Sequence, residues 1–476
     1  MNTVNPVLFQ DAYFNRLRMR EYSRLGKTAQ VYLDHTGAGL YPESLPAKHF
    51  RTMQEAVYGN PHSSNPGSRL STDAIECARE TVLEYFNAED YYCIFTVNAT
   101  AALQLVGESY PFNRQSCLLL CADNHNSVNG IREYCNEKGG MVSYVAIKPE
   151  TLEIDSSTMV KQLDAFSSCT NKLMAYPAQS NASGVKHSLH WIKKAKERGW
   201  DVLLDAAAFA PANPLDLKKV QPDFVPLSFY KMFGYPTGVG ALLVRKEAFS
   251  KLRKRWFAGG TVAVAGVGYR DHVLLDAHHR FENGTLNFLS IPAVADGLKF
   301  MQETGIGRIH TRVQSLVGWI LPALRSLRHN SAQPLVRIYG TDDLQRRGSS
   351  IMLNFFDENG NRFPLDMIEA AAGKANISLR TGCFCNPGVD EANHRLNADE
   401  LSVYFSCKRA GLDMLLDYPG QIRGAVRISP GIATTMDDLQ QFLVFAGSLL
   451  NKKITFSENA TSRSKPELAE QTRTSY

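Results

Sequence analysis

Between residues 90 and 245, short runs of consecutive apolar residues alternate with longer stretches in which apolar positions recur every three to four residues. Uninterrupted apolar runs of five or six residues mark strands buried on both faces, and the longer period marks helices that cover them. The runs at 92–97, 116–121, 172–176, 202–205 and 224–228 are read as strands, with a return strand at 239–244 and helices at 99–109, 127–138 and 190–198. Such alternation predicts a mostly parallel α/β sheet with right-handed crossovers. Past residue 290 the pattern changes to a helical stretch at 291–304 and a mixed region with strands expected at 349–356 and 426–429. That region predicts a second, smaller α+β domain, so the chain is divided into a large domain at 56–290 and a small one at 291–455. Residues 456–476 are rich in Ser, Thr, Glu, Lys and Arg, bury too little apolar surface to offset ordering entropy, and are expected to be unstructured.

Composition narrows the class without choosing a chemistry. A chain of 476 residues with 44% hydrophobic and 21% charged residues has the balance of a soluble globular protein. The net charge of +5 suits phosphate or carboxylate ligands and does not call for nucleic acid. Nine cysteines without a regular framework argue for reduced thiols, and the absence of a Cys-x-x-Cys pair leaves no metal site expected. No run approaches the roughly 20 apolar residues of a membrane helix, and residues 1–20 carry no uninterrupted apolar segment, so the expected location is cytoplasmic.

In open parallel sheets ligands bind beyond the carboxyl ends of the strands, so the residues just past each strand carry the chemistry. After the first comes Asn98-Ala99-Thr100, opening a helix whose N–H groups and dipole suit a phosphate. After the second comes His125, a flat ring able to stack on an aromatic ligand, and beyond the third lies Asn181, a donor for a phenolate oxygen. The fourth strand ends in Asp205, with no lysine or arginine beside it in sequence; a pyridinium nitrogen would supply the missing positive partner. The fifth delivers Ser228 and Lys231 ahead of Gly234-Tyr235-Pro236-Thr237-Gly238, and a lysine at such a position suits Schiff-base chemistry. Taken singly, each has an ordinary reading as a helix cap, a loop histidine, a turn asparagine or a surface lysine. Together, in chain order, they are the set that pyridoxal 5′-phosphate requires.

Several segments carry a family resemblance: Tyr32-Leu33-Asp34-His35-Thr36-Gly37-Ala38-Gly39, Tyr176-Pro177-Ala178-Gln179-Ser180-Asn181, Ser228-Phe229-Tyr230-Lys231, Arg280-Phe281-Glu282-Asn283-Gly284-Thr285 and Arg380-Thr381-Gly382-Cys383-Phe384-Cys385-Asn386-Pro387-Gly388. With them the sequence resembles the fold-type I, class V pyridoxal-phosphate enzymes, the cysteine desulfurases among them, and above all the desulfurase-like domain of molybdenum cofactor sulfurases. The resemblance implies a large domain with a mostly parallel seven-stranded sheet, a small domain that residues 1–55 join, and a homodimer. It implies Lys231 as the cofactor's lysine, Asp205 on its pyridine nitrogen, His125 over its ring and Asn181 on its phenolate oxygen. Thr100, Ser228 and Tyr230 would hold the phosphate with Thr285 of the neighbouring subunit. Cys385 would take sulfur from L-cysteine as a persulfide, Cys383 being the alternative, with Arg380 nearby favouring the thiolate. Arg423, or failing it Arg427, would hold the substrate carboxylate, with Arg380 also on the substrate-binding side.

The sulfurases carry a further carboxyl-terminal domain for the molybdenum cofactor, which is not expected within these 476 residues. Sulfur is therefore expected to pass to a separate acceptor protein or small molecule. Ala208 stands where relatives place Ser or Gln, and Val389-Asp390 where the sulfurases often continue Ala-Cys. A different class V reaction, such as transamination, elimination or decarboxylation, is the alternative, and a non-catalytic scaffold is disfavoured by the completeness of the cofactor set.

Overall fold

The computed structural model describes residues 12–396, Ser402 and 423–454. The expected tail at 456–476 and most of the stretch between His394 and Arg423 lie outside the described residues. A seven-stranded sheet runs in the order Tyr91–Thr96, Gly240–Arg245, Phe224–Ser228, Asp201–Asp205, Asn171–Pro177, Ser116–Cys121, Met141–Val145. Gly240–Arg245 is antiparallel to both neighbours, and the remaining pairings are parallel. Every residue of Ser116–Cys121, Asp201–Asp205 and Phe224–Ser228 is buried, which is why these strands read as unbroken apolar runs. The edge strand Met141–Val145 escapes that pattern because only Val145 is buried. The helix expected at 127–138 forms as two pieces, Asn126–Asn129 and Ile131–Glu137, joined at Gly130.

The smaller unit is a four-stranded antiparallel sheet in the order Val336–Tyr339, Ile351–Phe355, Ala425–Ile428, Arg380–Gly382. Its outer strands lie beyond the sequence-based expectation: Arg380–Gly382 is three residues long with none of them buried, and Val336–Tyr339 buries only Val336. So does the helix Ile306–Ser326, whose Gly307, Gly318 and Pro322 obscure a periodic face of Ile309, Val313, Leu316, Ile320 and Leu324, all buried. The amino-terminal segment packs on this unit. Val31–Tyr32 pairs in parallel with Ile377–Ser378, Asp34 bridges to Ser429, and Arg18 donates to Asp438 at 2.8 Å. Among the described residues, no helix is long and apolar enough to cross a membrane.

Candidate active site

The carboxyl ends of the parallel strands open on a cavity of about 370 Å³. Ala99, Thr100, His125, Asn181, Asp205, Ser228, Tyr230 and Lys231 line it, so eight of the side chains singled out in the sequence converge on one volume. Thr285, Arg380, Cys385, Arg423 and Arg427 stand outside its lining.

Strand Phe224–Ser228 passes directly into the short helix Phe229–Phe233, which carries Lys231 and ends at Gly234 with φ +76°. A Cβ on Gly234 would lie 2.2 Å from the Tyr41 nitrogen, so both the close approach and the left-handed backbone require glycine. Burial pushes the Lys231 amine below its usual pKa; Asp205 pulls it back up, and Arg427 and Arg380 lower it further. Asp205 is itself buried, and its Oδ1 accepts from the Ala207 N–H at 3.0 Å. Among the described residues no cation is hydrogen-bonded to it.

His125 caps the helix Asn126–Asn129, its Nδ1 accepting from the Ser127 N–H at 3.1 Å, which assigns the ring proton to Nε2. Burial lowers its pKa, against Asp205 and with Lys231, so the ring is neutral near pH 7. Beside it, Asn98 caps helix Ala99–Ser109 by accepting from the Ala101 N–H at 2.9 Å. Thr100 Oγ1 and Ser127 Oγ lie 2.8 Å apart there. A helix start flanked by hydroxyls is an anion site.

The segment Cys383-Phe384-Cys385-Asn386 lies against the cavity rim. Asn181 Nδ2 donates to the Phe384 carbonyl at 2.7 Å, and the Asn126 N–H donates to the Cys385 carbonyl at 2.7 Å. Cys385 is exposed, whereas Cys383 is partly buried and its thiol is pushed up to about 11 by burial and Asp390, against Arg423. The greater exposure favours Cys385 over Cys383 as the reactive thiol.

The arginines depart from the sequence-based preference. Arg423 is taken by Asp390, whose carboxyl burial would raise but which bonds from His394, Arg423 and the Gly424 N–H hold down at about 2. Arg380 donates to Asp34 Oδ2 at 2.7 Å, so its guanidinium is engaged there rather than at Cys385. Arg427 is 3% exposed, donates to the Asn181 carbonyl at 2.6 Å and to Asp34 Oδ1 at 2.9 Å, and lies 4.9 Å over the Phe384 ring. Thr285 lines a neighbouring cavity of about 630 Å³ that shares Val97 and Gly238 with the first. Its hydroxyl accepts from Asn60 Nδ2 at 3.3 Å.

Sequence reasoning assigns no role to Ser127, Gln179 or Asp34. Ser127 stands two positions after His125. Gln179 lines the cavity with a buried Nε2 that has no partner. Asp34 sits in the segment Tyr32-Leu33-Asp34-His35, but its two arginine partners are hundreds of residues away.

The donor set fits a phosphorylated pyridine aldehyde: an anion-binding helix start, a neutral imidazole, an amide donor, a buried carboxylate with no cation hydrogen-bonded to it among the described residues, and a lysine of depressed basicity around one volume. That combination defines a pyridoxal-phosphate enzyme of the fold-type I class. A model of the class-V aminotransferase family matches residues 31–442, and the chain belongs to that family. The chain is 37% identical over 454 residues to the molybdenum cofactor sulfurase of Bos taurus, covering 90% of this chain and 51% of that protein. Its counterpart in Arabidopsis thaliana is 36% identical over 473 residues, covering 90% and 57%. The chain thus spans about half the length of the curated relatives it matches. Among solved structures, the apo cysteine desulfurase of Thermococcus onnurineus NA1 aligns with a TM-score of 0.76 at 22% identity, over 94% of this chain and 99% of that one. A cysteine desulfurase of Escherichia coli gives 0.72 at 19%, over 94% and 100%. Both share the fold.

Proposed function

We propose that this protein is a cysteine desulfurase-like sulfurtransferase that takes sulfur from L-cysteine as a persulfide on Cys385 and hands it to a separate acceptor. The observation that carries this is the seating of the thiol-bearing turn, whose carbonyls at Phe384 and Cys385 accept from Asn181 and Asn126 on the cavity rim.

Bound pyridoxal phosphate supplies the aldehyde and the electron sink. Asp205 would pair with the ring nitrogen, His125 stack on the ring, Asn181 donate to the phenolate oxygen, and Ala99, Thr100, Ser228 and Tyr230 hold the phosphate. Lys231, its basicity lowered by burial, would carry a proton to and from the substrate's α-carbon. Arg380 and Arg427 share the single carboxylate of Asp34, which leaves one net positive charge at the rim for the substrate carboxylate. Arg427 replaces Arg423 in that role. The Cys385 thiolate attacks the cysteine sulfur, the carbon–sulfur bond breaks with its electron pair left on carbon, and a proton there gives alanine.

A cytoplasmic homodimer in which Thr285 reaches the phosphate of the neighbouring subunit completes the proposal. The exposed hairpin of Val262–Ala265 and His272–Leu274 supports it, with Val264, Val267, Tyr269 and Val273 all open to solvent. The test is incubation with L-cysteine, measuring alanine and protein-bound persulfide in the native chain and in Cys385→Ser. Loss of both products in the variant is expected; equal alanine from the two proteins would refute the persulfide route and leave another class V reaction.

A further inference from the structure

Phe384 and Cys385 both adopt left-handed backbone, with φ of +55° and +53°, a conformation that costs non-glycine residues energy and persists only when surroundings over-determine it. The next residue supplies the constraint. Asn386 is 1% exposed, and its Nδ2 donates to Asp123 Oδ1 at 2.7 Å and to Asn181 Oδ1 at 3.0 Å. Asp123 is fully buried and is fixed from two more directions, by Ser180 Oγ at 2.7 Å and His187 Nε2 at 2.8 Å. Asn181 therefore accepts from Asn386 through its oxygen and donates to the Phe384 carbonyl through one hydrogen of its amide nitrogen. Its second amide hydrogen remains on a side chain that lines the cofactor cavity.

We propose that Asn386 is a positioning residue for Cys385, and that the amide of Asn181 couples the thiol-bearing turn to the cofactor, each stabilising the other. This rests on the reading of Asn181 as the donor to the cofactor's phenolate oxygen. A cofactor bonded to Asn181 fixes the amide plane that Phe384 and Asn386 also use, so loading holds the turn shut. By linkage, loosening the turn weakens cofactor binding by the same factor.

The test measures carbamidomethylation of Cys385 by iodoacetamide, read on its own peptide by mass spectrometry, in cofactor-free and pyridoxal phosphate-loaded protein. In the native chain, loading slows the reaction on the order of 10-fold, within the usual range of coupling between sites. Asn386→Ser keeps a side-chain oxygen to cap the helix Pro387–His394 but does not reach Asp123 or Asn181. In that variant the protection falls toward unity, the cofactor's dissociation constant rises by a matching factor, and kcat for alanine release drops with little change in KM for cysteine. A native chain whose Cys385 reacts at the same rate with and without cofactor overturns the coupling, and so does an Asn386→Ser variant with unaltered protection and affinity. A chain that takes up no pyridoxal phosphate, seen as a missing violet absorbance, overturns instead the functional reading beneath it.

Discussion

Replacing Asp34 by alanine tests the electrostatic frame of the site. Asp34 accepts from Arg427 Nη2 at 2.9 Å and from Arg380 Nη2 and Nε at 2.7 and 3.0 Å. The two partners differ in burial, the Arg427 side chain being 3% exposed and that of Arg380 51%. Removing the carboxylate strands a buried guanidinium, a loss on the order of 3–5 kcal/mol, while the solvated Arg380 adds only about 0–1 kcal/mol. Arg427 has little to fall back on, since its Nε is already buried without a partner. Asp34→Asn retains an acceptor but not the charge and should lose about 1.5–3 kcal/mol. Gly37→Ala attacks the same bridge from outside, because a Cβ there would lie 2.4 Å from Asp34 Oδ2 and 2.6 Å from Arg380 Nη2. Urea denaturation of the three variants at pH 7, compared at matched m-values, gives the ranking. If Asp34→Ala costs less than about 1 kcal/mol, Asp34 is not compensating Arg427, and the account of the positive rim fails with it.

Arg427→Met should raise KM for cysteine at least tenfold, whereas Arg423→Met should leave KM near the native value and act on stability through Asp390; steady-state alanine release separates the two. His35 is buried with its pKa lowered to about 4 by desolvation and Arg18, against Asp34, so the folded state holds it neutral. Its contribution is complete above pH 6.5 and is lost as pH falls toward 4, a loss of about 3 kcal/mol that should shrink in His35→Gln when unfolding is compared at pH 7 and pH 4.5. Gly388→Ala places a Cβ 2.0 Å from the Ala122 carbonyl oxygen, so it should cost about 1–3 kcal/mol in melting experiments and displace the Cys385 turn, lowering persulfide yield.

Legibility in the sequence divides along a physical line. Strands buried on both faces announce themselves as apolar runs, and six of the seven in the large sheet are found that way. Met141–Val145 at the edge, with one buried residue, carries almost no such signal. The cofactor residues are legible because each stands just past its own strand, so local order in the chain maps onto one end of the sheet. The small unit reads poorly because its outer strands, short or half-exposed, are held by partners distant in sequence, as in the pairing of Arg380–Gly382 with Ala425–Ile428.

The choice between Arg423 and Arg427 shows why position along the chain could not settle the substrate side of the site. Both residues stand in the same strand region, four positions apart, and both are guanidinium groups without a telling neighbour in sequence. What distinguishes them is their carboxylate partner: Asp390, 33 residues before Arg423, against Asp34, 393 residues before Arg427. Asp34 is placed by the amino-terminal segment, which enters the small unit through Val31–Tyr32 and the bridge to Ser429. The ends of the large sheet therefore bring together the residues proposed to hold the cofactor within one subunit, whereas those proposed for the substrate and sulfur side meet only once the amino-terminal segment and the small-domain strands have come together. Variants of the cavity residues should accordingly change cofactor binding with the fold intact, and variants of Asp34 should couple substrate recognition to stability.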